Sequence, residues 1–289
     1  MSDKLPTQQS NHHPVPCHIC DAITIRTRHG SAGFLECPGC GYAVLAQDPA
    51  RADYWSHSHY QEAAGVDFWI PAKRRYFEAA LRLLEQETPG RRLLDVGGGV
   101  GFFAELALAR GWDAYSLDIS PRATQLASER IGSRRALNSL DTIKLASFDV
   151  ASLWCVVAHT RDPNDLIAST SRLLRPGGLI WLTTPNFDFQ KAYATLRSAL
   201  HRPIDFAVDD HVSHFTPQAL LKLLGTHGFN DLSLHLCGIT EVCSLTLSEN
   251  KALVSAKWTF NRLAFGLTRL GVRNYVSELQ VSGRFDPRK

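Results

Sequence analysis

The sequence has no apolar run approaching the length of a membrane span, and its first fourteen residues are polar, without the apolar stretch of a signal peptide. Those absences point to a soluble, cytoplasmic protein. Charge is nearly balanced: 31 Lys and Arg stand against 28 Asp and Glu, and a net of +3 does not demand a polyanionic partner. No Gly-Lys-Ser/Thr closes the glycine-rich stretch near residue 100, which excludes a P-loop. The dinucleotide fingerprint G-x-G-x-x-G is also missing, because Phe102 stands where close helix packing requires a third glycine. An Asn/Asp-Pro-Pro-aromatic motif, typical of enzymes that methylate base amines in nucleic acids, is absent as well.

What the chain does contain is centred on Leu93-Leu94-Asp95-Val96-Gly97-Gly98-Gly99-Val100-Gly101-Phe102-Phe103. An apolar run ending in an acid, opening into glycines and resuming as an apolar helix reads as strand, tight loop and helix, the arrangement that holds nucleotide-like ligands. A second acid, Asp118, ends the apolar run Ala114–Leu117 roughly 20 residues further on, where a carboxylate is placed to accept hydrogen bonds from ribose hydroxyls. The alternative role for this region is helix capping at Pro121, for which Ser120 is the better candidate.

The pattern Asp95-x-Gly97-x-Gly99-x-Gly101 resembles the first motif of class I S-adenosylmethionine-dependent methyltransferases. That resemblance implies a doubly wound, Rossmann-like α/β sheet of seven strands. It also implies that Asp95 and the glycine backbone hold the amino acid part of the cofactor, while Asp118, with Ile119 beside it, holds the nucleoside. Leu173-Leu174-Arg175-Pro176-Gly177-Gly178 is similar to the family's turn before its fifth strand, so the likeness runs from about residue 90 to 240. Strands are expected near 92–96, 113–118, 134–137, 148–156 and 178–184, with helices near 101–110, 121–131, 140–146 and 164–174 and a last strand within 276–285.

Seven cysteines are present, and four fall as two C-x-x-C pairs, Cys17/Cys20 and Cys37/Cys40, with sixteen residues between them. In a reducing compartment this spacing predicts a four-thiolate structural zinc site, with His18 a spectator. So small a module has little apolar burial, and the metal would supply its stability. Between residues 15 and 45 Arg26 and Arg28 balance Asp21 and Glu36, so the ribbon lacks the basic character of a phosphate-binding surface.

The expected domain organisation is a flexible tail over 1–14, a zinc ribbon over 15–45, a helical aromatic linker or lid over 46–88, and a methyltransferase domain over 89–289. The last contains a helical insert at 187–215 and a basic amphipathic segment at 251–273. From 251 onward eight Lys and Arg face two acids, which suits a pocket cover or a peripheral membrane contact.

For chemistry, His159 and the pair His211 and His214 are the candidates. His159 follows the expected fourth strand, where family members commonly carry Glu-His and this chain has Ala158-His159; it contacts substrate or, preferably, fixes its loop through Asp162. His211-Val212-Ser213-His214-Phe215-Thr216 is similar to the family's loop over the substrate pocket, and an imidazole there would take a proton as the methyl group arrives. The implied function is methylation of a small molecule or glycan with S-adenosylmethionine, nucleic acid being disfavoured. An RNA methyltransferase and a non-catalytic cofactor-binding protein are the alternatives.

Overall fold

The computed structural model describes residues 15–46, 63–140, 143–201, 211–235 and 276–288, with a few positions between 259 and 267; over 63–72 it describes the backbone alone. The tail 1–14, Tyr54 through Tyr60 of the expected lid, and nearly all of 251–273 lie outside the described residues. Among those described, no helix is long and apolar enough to cross a membrane.

The chain opens with three short strands, β1 (Ile25–His29), β2 (Ala32–Glu36) and β3 (Ala43–Leu45), and the helix α1 (Ala63–Glu87). There follow β4 (Arg92–Val96), α2 (Phe102–Ala109), β5 (Asp113–Leu117), α3 (Pro121–Ile131), β6 (Ala136–Leu137), β7 (Phe148–Trp154) and α4 (Pro163–Leu173). The chain continues through β8 (Leu174–Pro185), α5 (Phe187–Ala199), β9 (Ser213–His214), α6 (Pro217–Thr226), β10 (Phe229–His235) and β11 (Glu278–Phe285).

Seven strands form one sheet in the order β10-β11-β8-β7-β4-β5-β6, with β11 antiparallel to both its neighbours and the remaining pairs parallel. Consecutive strand residues enter opposite layers. Leu93, Val150, Leu179 and Trp181 pack with α1 and α2, whereas Leu94, Ala151, Ile180 and Leu182 pack with α4 and α6. Both faces are therefore covered, which is why these strands read as continuous apolar runs rather than alternating ones. Helix starts follow the sequence: Ser120, Asp162 and Thr216 each cap with a side-chain oxygen and are each followed by proline.

Three expectations change. The helix near 140–146 is absent among the described residues. Ala146 instead adopts a left-handed conformation, Leu145 is exposed, and the N–H groups of Ala146 and Ser147 bind the carbonyls of Arg172 and Leu173 at the end of α4. The edge strand expected at 134–137 contracts to two residues, since Arg135 N–H turns back to the Gly132 carbonyl. The fifth strand starts at Leu174, earlier than 178, because Leu174 already pairs with Phe148 before an irregularity in register.

The cysteine-bearing segment is not a separate body. β3 pairs with β9, which lies at the end of the expected insert 187–215, giving a second sheet of order β1-β2-β3-β9. Cys17, Cys37, Cys40 and Tyr42 share one apolar cluster with Leu94, Phe215 and α6, so the large domain adds burial that thirty residues alone lack.

Candidate active site

The carboxyl ends of β4, β5, β7 and β8 lie side by side, and the polar groups that sequence reading singled out gather along this edge. Gly97, Gly99 and Gly101 all have positive φ, at 66°, 54° and 76°, a conformation that a side chain would strain. A Cβ at Gly97 would also fall 2.5 Å from Val156, so the loop lies flat against the exit of β7. The N–H groups of Gly97 and Gly98 bind the Leu117 carbonyl, tying the loop to the end of β5.

Asp95 is 1% exposed and accepts a 2.7 Å hydrogen bond from Ser152 Oγ. Burial pushes its carboxyl up to about 7, nearby Asp118 adds to that, and Lys73 opposes it. Such a group wants a cation in contact. Asp118 accepts N–H bonds from Gly99 (2.9 Å) and Ser120 (2.8 Å), one on each carboxylate oxygen. One lone-pair direction per oxygen remains for a ligand. Burial also raises the Asp118 carboxyl, against the pull of those two N–H groups. Ile119 beside it is 75% exposed, an apolar surface of the kind that an adenine ring would cover.

At the end of β7 the structure brings Cys155, His159 and His211 together. Cys155 Sγ is 3.4 Å from His211 Nε2, and the rings of His159 and His211 are centred 4.6 Å apart. Burial, with His159 and His214 nearby, holds the His211 imidazole well below its usual range. His214 is placed apart from this group. It is 2% exposed, its Nδ1 meets Gln190 Oε1 and its Nε2 the His211 carbonyl, both at 3.1 Å, and its ring is wedged against Phe34 and Phe187. Two engaged nitrogens and a value near 4 suit a packing role.

Five buried polar atoms along the same edge have no partner among the described residues: Ser116 Oγ, Trp154 Nε1, Thr184 Oγ1, His211 Nδ1 and Glu278 Oε2. Orphaned groups are rare in folded proteins, and a cluster of them marks a ligand site. Glu278 faces Pro185 across the β11–β8 pair and accepts a 2.7 Å bond from Tyr76 of α1. Sequence reading missed Cys155, Ser152 and Glu278. Only position could have flagged them: the first two lie at or beside the end of an apolar strand, the last at the start of one.

The four ribbon cysteines have sulfur atoms within 4.8 Å of one another, with Cys17–Cys40 at 3.7 Å and Cys20–Cys37 at 3.4 Å. A zinc–sulfur bond of about 2.3 Å gives tetrahedral edges of roughly 3.8 Å, so the donors fit that ion. The N–H groups of Ile19 and Cys40 point to Cys17 and Cys37 sulfurs, as in a metal knuckle.

A mixed seven-stranded sheet with one reversed strand, and an acid–glycine–acid edge between its central strands, define a class I S-adenosylmethionine-dependent methyltransferase fold. The chain belongs to the methyltransferase family: the model of the methyltransferase domain matches residues 68–234, more than half its length. Curated relatives include the ubiquinone biosynthesis O-methyltransferases of Idiomarina loihiensis, 24% identical over 58% of this chain and 75% of that protein, and of Xanthomonas oryzae pv. oryzae, 30% identical over 40% and 50%. The chain thus spans between half and three quarters of the length of these relatives. A solved S-adenosylmethionine-dependent methyltransferase from Archaeoglobus fulgidus is 17% identical, with a TM-score of 0.49, covering 73% of this chain and 94% of that one.

Proposed function

We propose that the protein transfers the sulfonium methyl group of S-adenosylmethionine to a nucleophile, an oxygen by preference, on a small molecule or glycan. The observation that carries the reading is the pair of carboxylates, Asp95 and Asp118, on either side of the glycine turn. Asp95, buried and raised toward neutrality, would pair with the cofactor's ammonium group, and Asp118 would take both ribose hydroxyls with its remaining lone pairs. Ile119 would pack on the adenine. The bound cofactor supplies an already activated methyl group, so the protein's tasks are alignment, exclusion of water and removal of the acceptor proton.

Cys155 precedes and His159 follows Val156, whose side chain abuts the glycine turn, and His211 lies beside them; an acceptor there would meet the methyl group. These side chains would promote loss of its proton. The relatives named as O-methyltransferases of ubiquinone biosynthesis favour an oxygen acceptor, and the near-neutral ribbon disfavours nucleic acid. The four ribbon cysteines would hold structural zinc.

Calorimetry with S-adenosylhomocysteine is the test. Binding by the native protein and its loss in Asp118→Ala support the reading, and no heat from a folded, zinc-loaded native protein refutes it. Isotope-labelled methyl transfer to phenols, hydroxy acids and sugars would then assign the acceptor.

A further inference from the structure

We infer that Cys155, His159 and His211 form a second metal site, separate from the four-cysteine cluster and suited to a borderline divalent cation of the zinc type. One donor atom from each of the three residues lies within 4.8 Å of the others, the same closeness that the four ribbon sulfurs show. The Cys155 Sγ to His211 Nε2 separation of 3.4 Å is close to the edge of a tetrahedron built from a zinc–sulfur and a zinc–nitrogen bond, roughly 3.5 Å. A thiolate with two imidazoles is also the donor chemistry that zinc prefers over magnesium or calcium.

The three side chains are held in place independently of any ion. Cys155 has φ of 63°, an unfavourable backbone for a cysteine, and its N–H is fixed by both the Thr183 carbonyl and Thr183 Oγ1 at 3.1 Å. His159 closes a short 3-10 turn, Val157–His159, with its N–H on the Val156 carbonyl. Val212, next to His211, donates its N–H to the carbonyl of Ala158, next to His159, and accepts one from Leu45 of the ribbon. Both imidazoles are thus presented from backbone segments bonded to each other.

Among the described residues the group offers three ligands, which leaves one position of a tetrahedron open, as in catalytic rather than structural zinc sites. A water or the hydroxyl of an acceptor would fill it, and the ion would lower that hydroxyl's pKa, leaving the proton to solvent. Ion binding does not depend on the methyltransferase reading; only the use of the open position does.

The test measures metal on the full chain without cofactor. After dialysis, the native protein should carry about two zinc ions, and Cys155→Ser or His211→Ala about one, the ribbon ion remaining. Reconstitution with cobalt should give a thiolate charge-transfer component that Cys155→Ser removes while the four-thiolate spectrum persists. One ion per chain in native and variant proteins alike, with identical cobalt spectra, overturns the inference. If the variants do not fold, zinc X-ray absorption of the native protein decides: nitrogen scattering alongside sulfur supports the site, and sulfur alone refutes it. Should metal bind as expected and calorimetry with S-adenosylhomocysteine fail, the functional proposal falls and the metal site stands.

Discussion

Replacing Asp95 with Asn should stabilise the ligand-free protein at alkaline pH while weakening cofactor binding. Asp95 has an ordinary value of 3.8 and is raised to about 7 in the fold, mainly by burial. Between those values the folded state holds a proton that the unfolded state has released, so stability falls as pH rises from about 4 to 7 and is level above. One pKa unit corresponds to about 1.4 kcal/mol, so the full penalty above pH 7 is on the order of 4 kcal/mol. Asn keeps an oxygen for Ser152 and cannot ionise, so the variant escapes the penalty. The stability gap, variant minus native, should widen by on the order of 3 kcal/mol between pH 5 and pH 8, roughly 5–10 °C in melting temperature. With saturating S-adenosylhomocysteine the variant's lead at pH 8 should shrink, because the native carboxylate would gain the ligand's ammonium; a charge-assisted contact of this kind contributes about 1.5–3 kcal/mol, or roughly ten- to a hundredfold in affinity. Thermal melts at both pH values, with and without ligand, measure all four quantities. A ligand-free variant that melts below native protein at pH 8, or binds the ligand equally well, refutes the reasoning.

Asp118→Ala would remove the proposed ribose contacts together with the acceptor for Gly99 and Ser120 N–H, and cofactor affinity measured by calorimetry should drop about a hundredfold with a smaller loss in melting temperature. His214 has its value lowered from 6.5 to about 4, so its neutral form is favoured in the fold and stability should decline as pH falls from 6.5 toward 4; His214→Gln should flatten that decline in acid melts. Gly97→Ala meets both a positive φ and Val156 at 2.5 Å, and should cost about 1–3 kcal/mol in denaturant unfolding and weaken cofactor binding. Cys37→Ser together with Cys40→Ser, which would abolish the proposed ribbon metal and leave Cys155, His159 and His211 in place, should reduce methyl transfer more than S-adenosylhomocysteine binding, read by parallel assays of the same sample.

Much of the sheet was legible because its strands are short apolar runs punctuated by acids, glycines and prolines. The starts of α3, α4 and α6 carry a side-chain cap followed by proline, and each forms where the sequence places it. The acid–glycine–acid edge was legible for the same reason: both acids end strands that lie next to each other. Other features depend on contacts between distant segments, which leave no local trace. Cys155 reads as one more apolar residue until its backbone turns it toward His211, 56 positions away. His211 and His214 share a motif and look equivalent, yet packing against Phe34 separates their roles. The stretch near 140–146 shows the reverse case, a locally plausible helical pattern whose described residues 143–146 are not helical and whose Leu145 is exposed.

The union of ribbon and sheet gives the metal knuckle a consequence beyond stability. Tyr42, two residues past Cys40, bonds Ser213 Oγ at 2.8 Å, and Thr216 Oγ1 donates to the Cys40 carbonyl at 2.8 Å. Gly41, with φ of 77°, has no room for a side chain, since a Cβ there would sit 2.7 Å from Thr216. Leu45 N–H reaches the Val212 carbonyl, and β3 pairs with β9. The second knuckle and its following strand therefore grip the segment from Val212 to Thr216 at four points, and that segment begins next to His211. Asp95 and Asp118 have no comparable bond to the ribbon, being fixed by Ser152, Gly99 and Ser120. Loss of the proposed ribbon metal should thus release His211 and leave the glycine turn with Asp95 and Asp118 largely formed.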